Sequence, residues 1–373
     1  MTPLSVLDLS PVVSGQTAAD ALRNTIDLAR HAERLGYHRY WVAEHHLVPG
    51  VASTSPSVLI ALIASATREI RVGSGAVLLG YHPPLAVAEQ FGTIAQLHPR
   101  RIDVGLGRSG FIRAEDRVKS PAGAPAEAKV VDGLLIPGRP RLPFDRPDFF
   151  ARHRTQQQLL GLRDEPVGDY ADQVRTILDF VDGEYRDSHG ESYRSPTAEA
   201  DDLEVWVLGS SAGPSAQAAA KLGLPFTANY HVSPSTVLEA TTAYRESFQP
   251  SARLGRPHVM VSADVVVAED EAKARELAGP YAQWVLSIRD GRGAIPFPST
   301  TEAAAFDWTT DQRALIADRI DTQFVGTPAT VVEQLKTLRD VTGAHELLIT
   351  TITHDHADRV RSHELLARAW SGV

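Results

Sequence analysis

Eight short apolar runs, spread along the whole chain and separated by helix-like stretches, constrain the fold more than any other feature. They are residues 4–9 (LSVLDL), 40–44 (YWVAE), 72–79 (VGSGAVLL), 101–107 (RIDVGLG), 204–209 (EVWVLG), 225–230 (PFTANY), 259–267 (VMVSADVVV) and 346–352 (ELLITTI). Most are continuously apolar rather than alternating, which is the pattern of parallel strands buried on both faces. The helical stretches between them have recognisable ends. Thr17 and Asp20 stand at capping-box spacing, Leu22, Ile26 and Ala29 share a face, and Gly36 stops that helix. Thr327 and Pro328 open a later helix that runs to Gly343. Eight strands alternating with helices predict an α/β chain folded as a (β/α)8 TIM barrel, in preference to a doubly wound sheet.

Two segments exceed what a bare barrel needs. Residues 111–165 carry six prolines between Pro121 and Pro147, and residues 291–325 include GRGAIPFP. Both are expected to be insertions of one domain spanning 1–373, lying over the C-terminal face as lids or substrate walls. Phe111, Phe149 and Phe150 are candidates to line a hydrophobic cavity there. The stretch 56–67 (PSVLIALIASAT) is apolar nearly all round, whereas an outer barrel helix should be polar on its far face. It is expected to be covered by a second copy of the chain in a homodimer.

Bulk properties narrow the function. A net charge of −9 disfavours nucleic acid or an anionic membrane as the partner. The absence of cysteine excludes disulfides, thiolate catalysis and cysteine-ligated metals. The first residues show no basic region ahead of an apolar run, and no apolar stretch nears the ~20 residues of a membrane span. A soluble, cytoplasmic protein acting on a small molecule is the expectation.

The second strand ends in WVAEHHLVPG (41–50), which delivers Glu44, His45 and His46 to the face where barrel enzymes place their chemistry. Adjacent histidines on a strand point to opposite sides and make a poor metal pair, and His354 and His356 complete no ligand set, so no metal is predicted. GLGRSG (105–110) has dinucleotide-motif spacing, but a proline-rich segment follows it instead of a helix. Arg108 then remains as a fixed cation at a strand end, suited to a phosphate or carboxylate. The fifth strand runs through Gly209, Ser210 and Ser211 into a short helix from Gly213 to Leu222. Free amides at such a helix start, with serine hydroxyls beside them, make an anion site, unless Ser211 or Ser215 simply caps the helix. Arg108 and Ser211 leave adjacent strands, so one phosphate can touch both. Gly73 and Gly75 within a buried strand mark a bulge or the close approach of a flat aromatic ligand.

Four ordered segments carry a resemblance over nearly the whole length: GYHRYWVAEHH, VGSGAVLLGYHPPLAVAEQFGTIAQLHPRRIDVGLGR, VLGSS…LGLPF and VGTP. Together they resemble the bacterial luciferase-like family of flavin-dependent monooxygenases. The resemblance implies a (β/α)8 barrel binding reduced FMN, or in related branches the deazaflavin F420, at its C-terminal face. It makes His45 the functional histidine, with His46 beside it, and sets Arg108, Ser211 and Ser215 at the flavin phosphate. Ala43, Gly75, Ala76 and Ser210 complete the cofactor contacts it implies, with a cis peptide expected at Gly75–Ala76. Ser210 departs from the acidic residue of the luciferases themselves, and Gly107 from their cysteine.

The activity so implied is a two-component monooxygenase. A separate flavin reductase supplies reduced FMN, which forms a C4a-peroxyflavin with O2, and His45 assists as acid–base or hydrogen-bond partner. An F420-dependent hydride-transfer enzyme and a flavin-binding protein without catalysis are the alternatives on the same fold, and a metal-dependent hydrolase is the third.

Overall fold

The structure, a computed structural model, describes residues 1–108, 127–139, 155–161, 169–200 and 202–372. Phe111, Phe149, Phe150 and most of the 111–165 insertion lie outside the described residues.

In chain order the strands are β1 (Leu4–Asp8), β2 (Arg39–Val42), β3 (Arg71–Ser74), β4 (Val77–Leu78), β5 (Ile102–Gly107), β6 (Lys129–Val131), β7 (Leu134–Ile136), β8 (Glu204–Gly209), β9 (Phe226–Asn229), β10 (Val259–Val267), β11 (Phe324–Gly326) and β12 (Glu346–Thr350). The helices are α1 (Ala18–Arg34), α2 (Pro56–Ala66), α3 (Pro84–Leu97), α4 (Tyr170–Val181), α5 (Pro214–Lys221), α6 (Val237–Ser247), α7 (Glu271–Ala278), α8 (Pro280–Arg289), α9 (Thr300–Ala304), α10 (Thr310–Ile320), α11 (Pro328–Thr342) and α12 (His356–Ser371). The parallel order β12-β1-β2-β3-β5-β8-β9-β10 closes on itself through pairing of β10 with β12, giving the eight staves that the apolar runs predict. The 72–79 run is two pieces, β3 and β4, joined through a cis Gly75–Ala76 peptide, and both pair with β5. β6 and β7 form a separate antiparallel hairpin, and β11 pairs only with the far end of β10.

Side-chain alternation along each stave fills two layers. Val6, Val42, Val72, Val104, Val207 and Ile349 face the helices, whereas Leu7, Trp41, Trp206, Leu208, Met260 and Leu348 fill the barrel. Both sets are apolar, which is why the staves read as unbroken runs. α1 carries the expected capping box between Thr17 and Asp20, and Gly36 follows it at positive φ. Its buried stripe is Ala21, Thr25, Leu28, Ala29 and Ala32, with Leu22 and Ile26 at the edge, so the face is rotated from the one expected. Small residues let the helix axis approach the sheet. α11 begins at Thr327 and Pro328 and ends at left-handed Gly343, as the sequence indicates.

The barrel floor is ionic. Arg39 donates from Nη1 to Asp103 Oδ2 and Glu204 Oε2, both at 2.8 Å, and from Nε to Glu346 Oε1 at 3.1 Å. Arg71 adds Nε to Asp103 Oδ1 at 2.8 Å, Trp41 Nε1 donates to Asp103 Oδ2 at 2.9 Å, and Ser5 donates to Glu346. β1, β2, β3, β5, β8 and β12 therefore meet in one network.

The 291–325 segment is stitched to the rim. Gly50 N–H donates to Ala294 O at 2.8 Å, Val12 N–H to Gly50 O at 3.0 Å, and Phe297 N–H to Val12 O at 2.8 Å. A Cβ on Gly50 would stand 1.9 Å from Ile295 O, so no side chain fits at this seam. On the opposite flank, α2 buries Leu59, Ile60, Ile63 and Ala64 and exposes Val58 and Leu62. No described helix is long and apolar enough to cross a membrane.

Candidate active site

A cavity of about 600 Å³ opens at the C-terminal ends of the staves. That volume falls within the usual range for small-molecule and cofactor sites. At one end β5 delivers Arg108, and β8 delivers Ser210 and Ser211 before α5 begins. Gly107 pairs in register with Leu208, so the two strand ends lie side by side. α5 starts from Gly213 with no side-chain cap; Ser211 Oγ instead accepts from Gly213 N–H at 3.3 Å, and Ser215 sits in the first turn. The serines are thus not ordinary caps, and the helix start keeps free amides for an anion. Tyr170, which sequence reasoning missed, joins this end: its hydroxyl donates to Leu106 O at 2.9 Å. Burial pushes its phenol well above the ordinary value, opposed by the Arg108 charge and a hydrogen bond with Ser215. The signal available in sequence was only a tyrosine beside the Asp169 helix cap.

The middle of the cavity is apolar and partly bare backbone. Leu7, Ala43, Gly75, Ala76, Leu78, Gly107 and Leu208 line it. The two glycines differ. A Cβ on Gly73 would stand 2.6 Å from Asp103 and 2.7 Å from the Trp41 indole nitrogen, so packing inside the barrel excludes a side chain there. Gly75 lines the cavity beside Leu7, where a Cβ would stand 2.8 Å from the end of that side chain. An anion-binding cradle, a flat apolar slot and this volume fit a phosphate-tailed heterocycle such as FMN.

The two histidines after β2 separate as strand geometry requires. His45 lines the cavity, its backbone N–H held by Ser53 O at 2.9 Å, and its buried Nδ1 has no partner among the described residues. Burial drives its imidazole down to about 4, with the Glu44 charge opposing and His46 adding to the shift. His46 does not line the cavity. Its Nε2 stands 2.7 Å from Glu44 Oε1, which His82 Nε2 also reaches at 2.8 Å, and Leu78 N–H donates to Glu44 Oε2 at 2.8 Å. Burial alone would raise the Glu44 carboxyl, but these three donors hold it below the usual range. His82 was not singled out by sequence, since nothing in GYHPP marks it as a partner of a residue 38 positions away.

The inner wall comes from elements that carry no motif. His231 follows β9, Asp264 lies on β10, Thr350 on β12, Trp284 on α8 and Arg319 on α10. Burial takes His231 down to about 3, helped by Arg319 and His45, and its Nδ1 contacts Ser262 Oγ at 2.5 Å. Burial raises Asp264 to about 6 against the pull of Arg319. Away from the cavity, His354 Nε2 meets Ser14 O at 3.1 Å and His356 Nε2 meets Asp27 Oδ2 at 2.9 Å. No three His, Asp or Glu among the described residues are grouped to hold a metal ion.

Comparison with known proteins bears on this arrangement. The family model described as luciferase-like monooxygenase matches residues 2–130 and 152–345. The Bacillus subtilis protein YvbT is 38% identical over 371 residues, covering 99% of this chain and 97% of that one. A luciferase-like monooxygenase of Escherichia coli K12 is 34% identical, covering 97% and 95%. The B. subtilis N-acetyl-S-alkylcysteine monooxygenase is 28% identical, covering 99% and 98%.

Among solved structures, apo-MsnO8 superposes with a TM-score of 0.77 at 33% identity, covering 100% and 99%. The same fold, at TM-score 0.64 and 19% identity and covering 100% and 98%, is seen in the oxygenating constituent of 3,6-diketocamphane monooxygenase from Pseudomonas putida in complex with FMN. It recurs at TM-score 0.60 and 13% identity, covering 99% of each chain, in an F420-dependent secondary alcohol dehydrogenase with an F420–acetone adduct. The closed barrel and the matches over nearly the whole chain make this chain a member of the luciferase-like monooxygenase family of oxidoreductases.

Proposed function

We propose that the cavity binds reduced FMN and that the chain is the oxygenating component of a two-component monooxygenase, fed by a separate flavin reductase. The observation that carries this is the convergence of Arg108 with Ser210, Ser211, Ser215 and the uncapped start of α5 at one end of an apolar slot. When bound, reduced FMN supplies the electrons that activate O2, so that one oxygen atom enters a small organic substrate and the other leaves as water.

The chain's own residues do the rest. Arg108 and the amides at the start of α5 bind the phosphate. Leu7, Leu78 and Leu208 exclude water from the ring. His45, neutral at physiological pH, holds or accepts a proton at Nδ1 toward the reacting atoms. Glu44 does not serve as the base, because both its oxygens are occupied by His46, His82 and the Leu78 amide.

Anaerobic titration with reduced FMN tests the reading. Arg108→Ala is expected to weaken binding about 10–100-fold, the range for a lost charge-assisted hydrogen bond of about 1.5–3 kcal/mol. Retention of reduced F420 but not of FMN would transfer the site to hydride transfer. Retention of neither would end the reading. Oxygen uptake that no substrate ever couples would reduce the chain to a flavin carrier.

The partner reading extends to a second copy of the chain seated on α2. Val58 is 61% and Leu62 54% exposed on a helix with no charged residue. Leu62→Glu would force a carboxylate into that contact, a desolvation of several kcal/mol. The dimer constant measured by sedimentation is expected to weaken at least ~10-fold; a wild-type chain that sediments as a monomer at micromolar concentration rules the dimer out.

A further inference from the structure

The wall of the cavity across the barrel from the phosphate cradle is built of residues whose buried donors find no acceptor among the described residues. Three neighbouring residues define it. Trp284 stacks with Tyr281 at 5.9 Å between ring centroids, and the Arg319 guanidinium lies 5.6 Å from the centroid of the same Tyr281 ring. Arg319 is only 6% exposed, and its Nη2 donates to Tyr281 Oη at 2.6 Å. Among the described residues its buried Nε has no partner, nor has Trp284 Nε1, nor Thr350 Oγ1 on β12. All three residues line the cavity.

Indole and guanidinium nitrogens donate and never accept, so only an acceptor can satisfy them. A buried guanidinium without a close ion pair is costly, and among the described residues Arg319 makes none within 4 Å; the neighbouring Asp318 gives Oδ2 to Arg289 at 2.7 Å and acts on Arg319 only through its charge. Asp264 is the carboxylate beside it, but Tyr281 lies between them, hydrogen-bonded to both, and Gln323 donates to Asp264 Oδ1 at 3.5 Å. The other charged or titratable side chains facing this end, His45 and His231, are kept neutral by burial. Among the described residues Arg319 is therefore the permanent positive charge of the inner wall, offset in part by the Asp264 carboxyl, which burial raises to about 6.

We propose that the substrate of this enzyme is a small organic acid whose carboxylate accepts hydrogen bonds from Arg319 Nε and Trp284 Nε1 on the cavity's inner wall. This rests on the reading that the other end of the cavity holds the flavin phosphate. Arg319 orients the substrate so that its chain, not its charged head, lies against the apolar slot and His45.

The test uses the full-length protein and three ligands of one chain length: hexanoate, hexanamide and 1-hexanol, titrated by calorimetry. Hexanoate is expected to bind about 30-fold more tightly than either neutral ligand, the scale of a charge-assisted pair. Arg319→Gln should bring the three within threefold of one another, and Trp284→Phe should weaken hexanoate about tenfold while leaving 1-hexanol within twofold. Arg108→Ala should weaken reduced FMN about 10–100-fold yet keep the hexanoate preference, which separates this proposal from the flavin reading. Equal binding of the three ligands by the wild-type protein overturns the proposal without recourse to any variant. So does a preference that disappears with Arg108 and survives in Arg319→Gln.

Discussion

Replacing Arg39 with methionine is expected to cost the protein about 3–5 kcal/mol of folding stability, as removal of one partner from a buried ion cluster does. The reason is the number of carboxylates that depend on it. Asp103 and Glu346 are buried, and Glu204 stands at 2.8 Å on the same guanidinium nitrogen as Asp103. Burial alone would push the Asp103 carboxyl up, and Arg39 and Arg71 together hold it below the ordinary range. Arg71 remains for Asp103 in the variant, but Glu346 loses its cation and, among the described residues, keeps the Ser5 hydroxyl as its one side-chain donor. Against a total stability of about 5–15 kcal/mol, this is a large share. Urea unfolding followed by circular dichroism measures it. Arg39→Lys should recover less than half, because an ammonium cannot span three carboxylates in one plane. A loss under 1 kcal/mol would mean that the floor is not what joins the staves.

The second large effect is expected at His45. His45→Ala should lower substrate-coupled turnover by about 10²–10⁴-fold, the usual contribution of a positioned acid–base group. Affinity for reduced FMN should stay within about threefold, since the phosphate contacts are elsewhere. The pH dependence distinguishes a neutral imidazole from a charged one. With its pKa near 4, His45 is uncharged from pH 6 to 9, and its contribution to turnover should be flat there. The same depression has a stability sign. An imidazole whose folded value lies below its ordinary value near 6.5 contributes fully above that value, and the contribution declines as the pH falls toward 4. Unchanged coupled turnover in the alanine variant, with flavin retained, removes His45 from the chemistry.

How much of this was legible in the sequence follows from where each residue sits. All eight staves could be read because parallel strands buried on both faces leave unbroken apolar runs. The cradle could be read because Arg108, Ser210 and Ser211 come directly after strand ends. The inner wall could not. Arg319 belongs to a helix that begins with an ordinary capping box at Thr309 and Gln312, and Trp284 to a helix with no chemical signature. Only Asp264 left a trace, as a carboxylate interrupting the nine-residue apolar run of β10. Glycine misled in a particular way. Gly73 looked like room made for a ligand, yet that space is filled from within by Asp103 and Trp41, whereas Gly75 does line the cavity. A single chain pattern cannot tell which neighbour claims the volume of an absent side chain.

Gly50 has a practical consequence for anyone wishing to change what the enzyme accepts. The turn beyond His46 and the segment leading toward Arg319 share one backbone zipper at that residue, through Ala294, Val12 and Phe297. Grafting a foreign loop over 291–325 would therefore also re-aim the imidazole on the opposite wall. Residues 12–14, 50 and 294–297 are tied by backbone hydrogen bonds into one seam, so a loop exchange that respects it moves them as a single cassette.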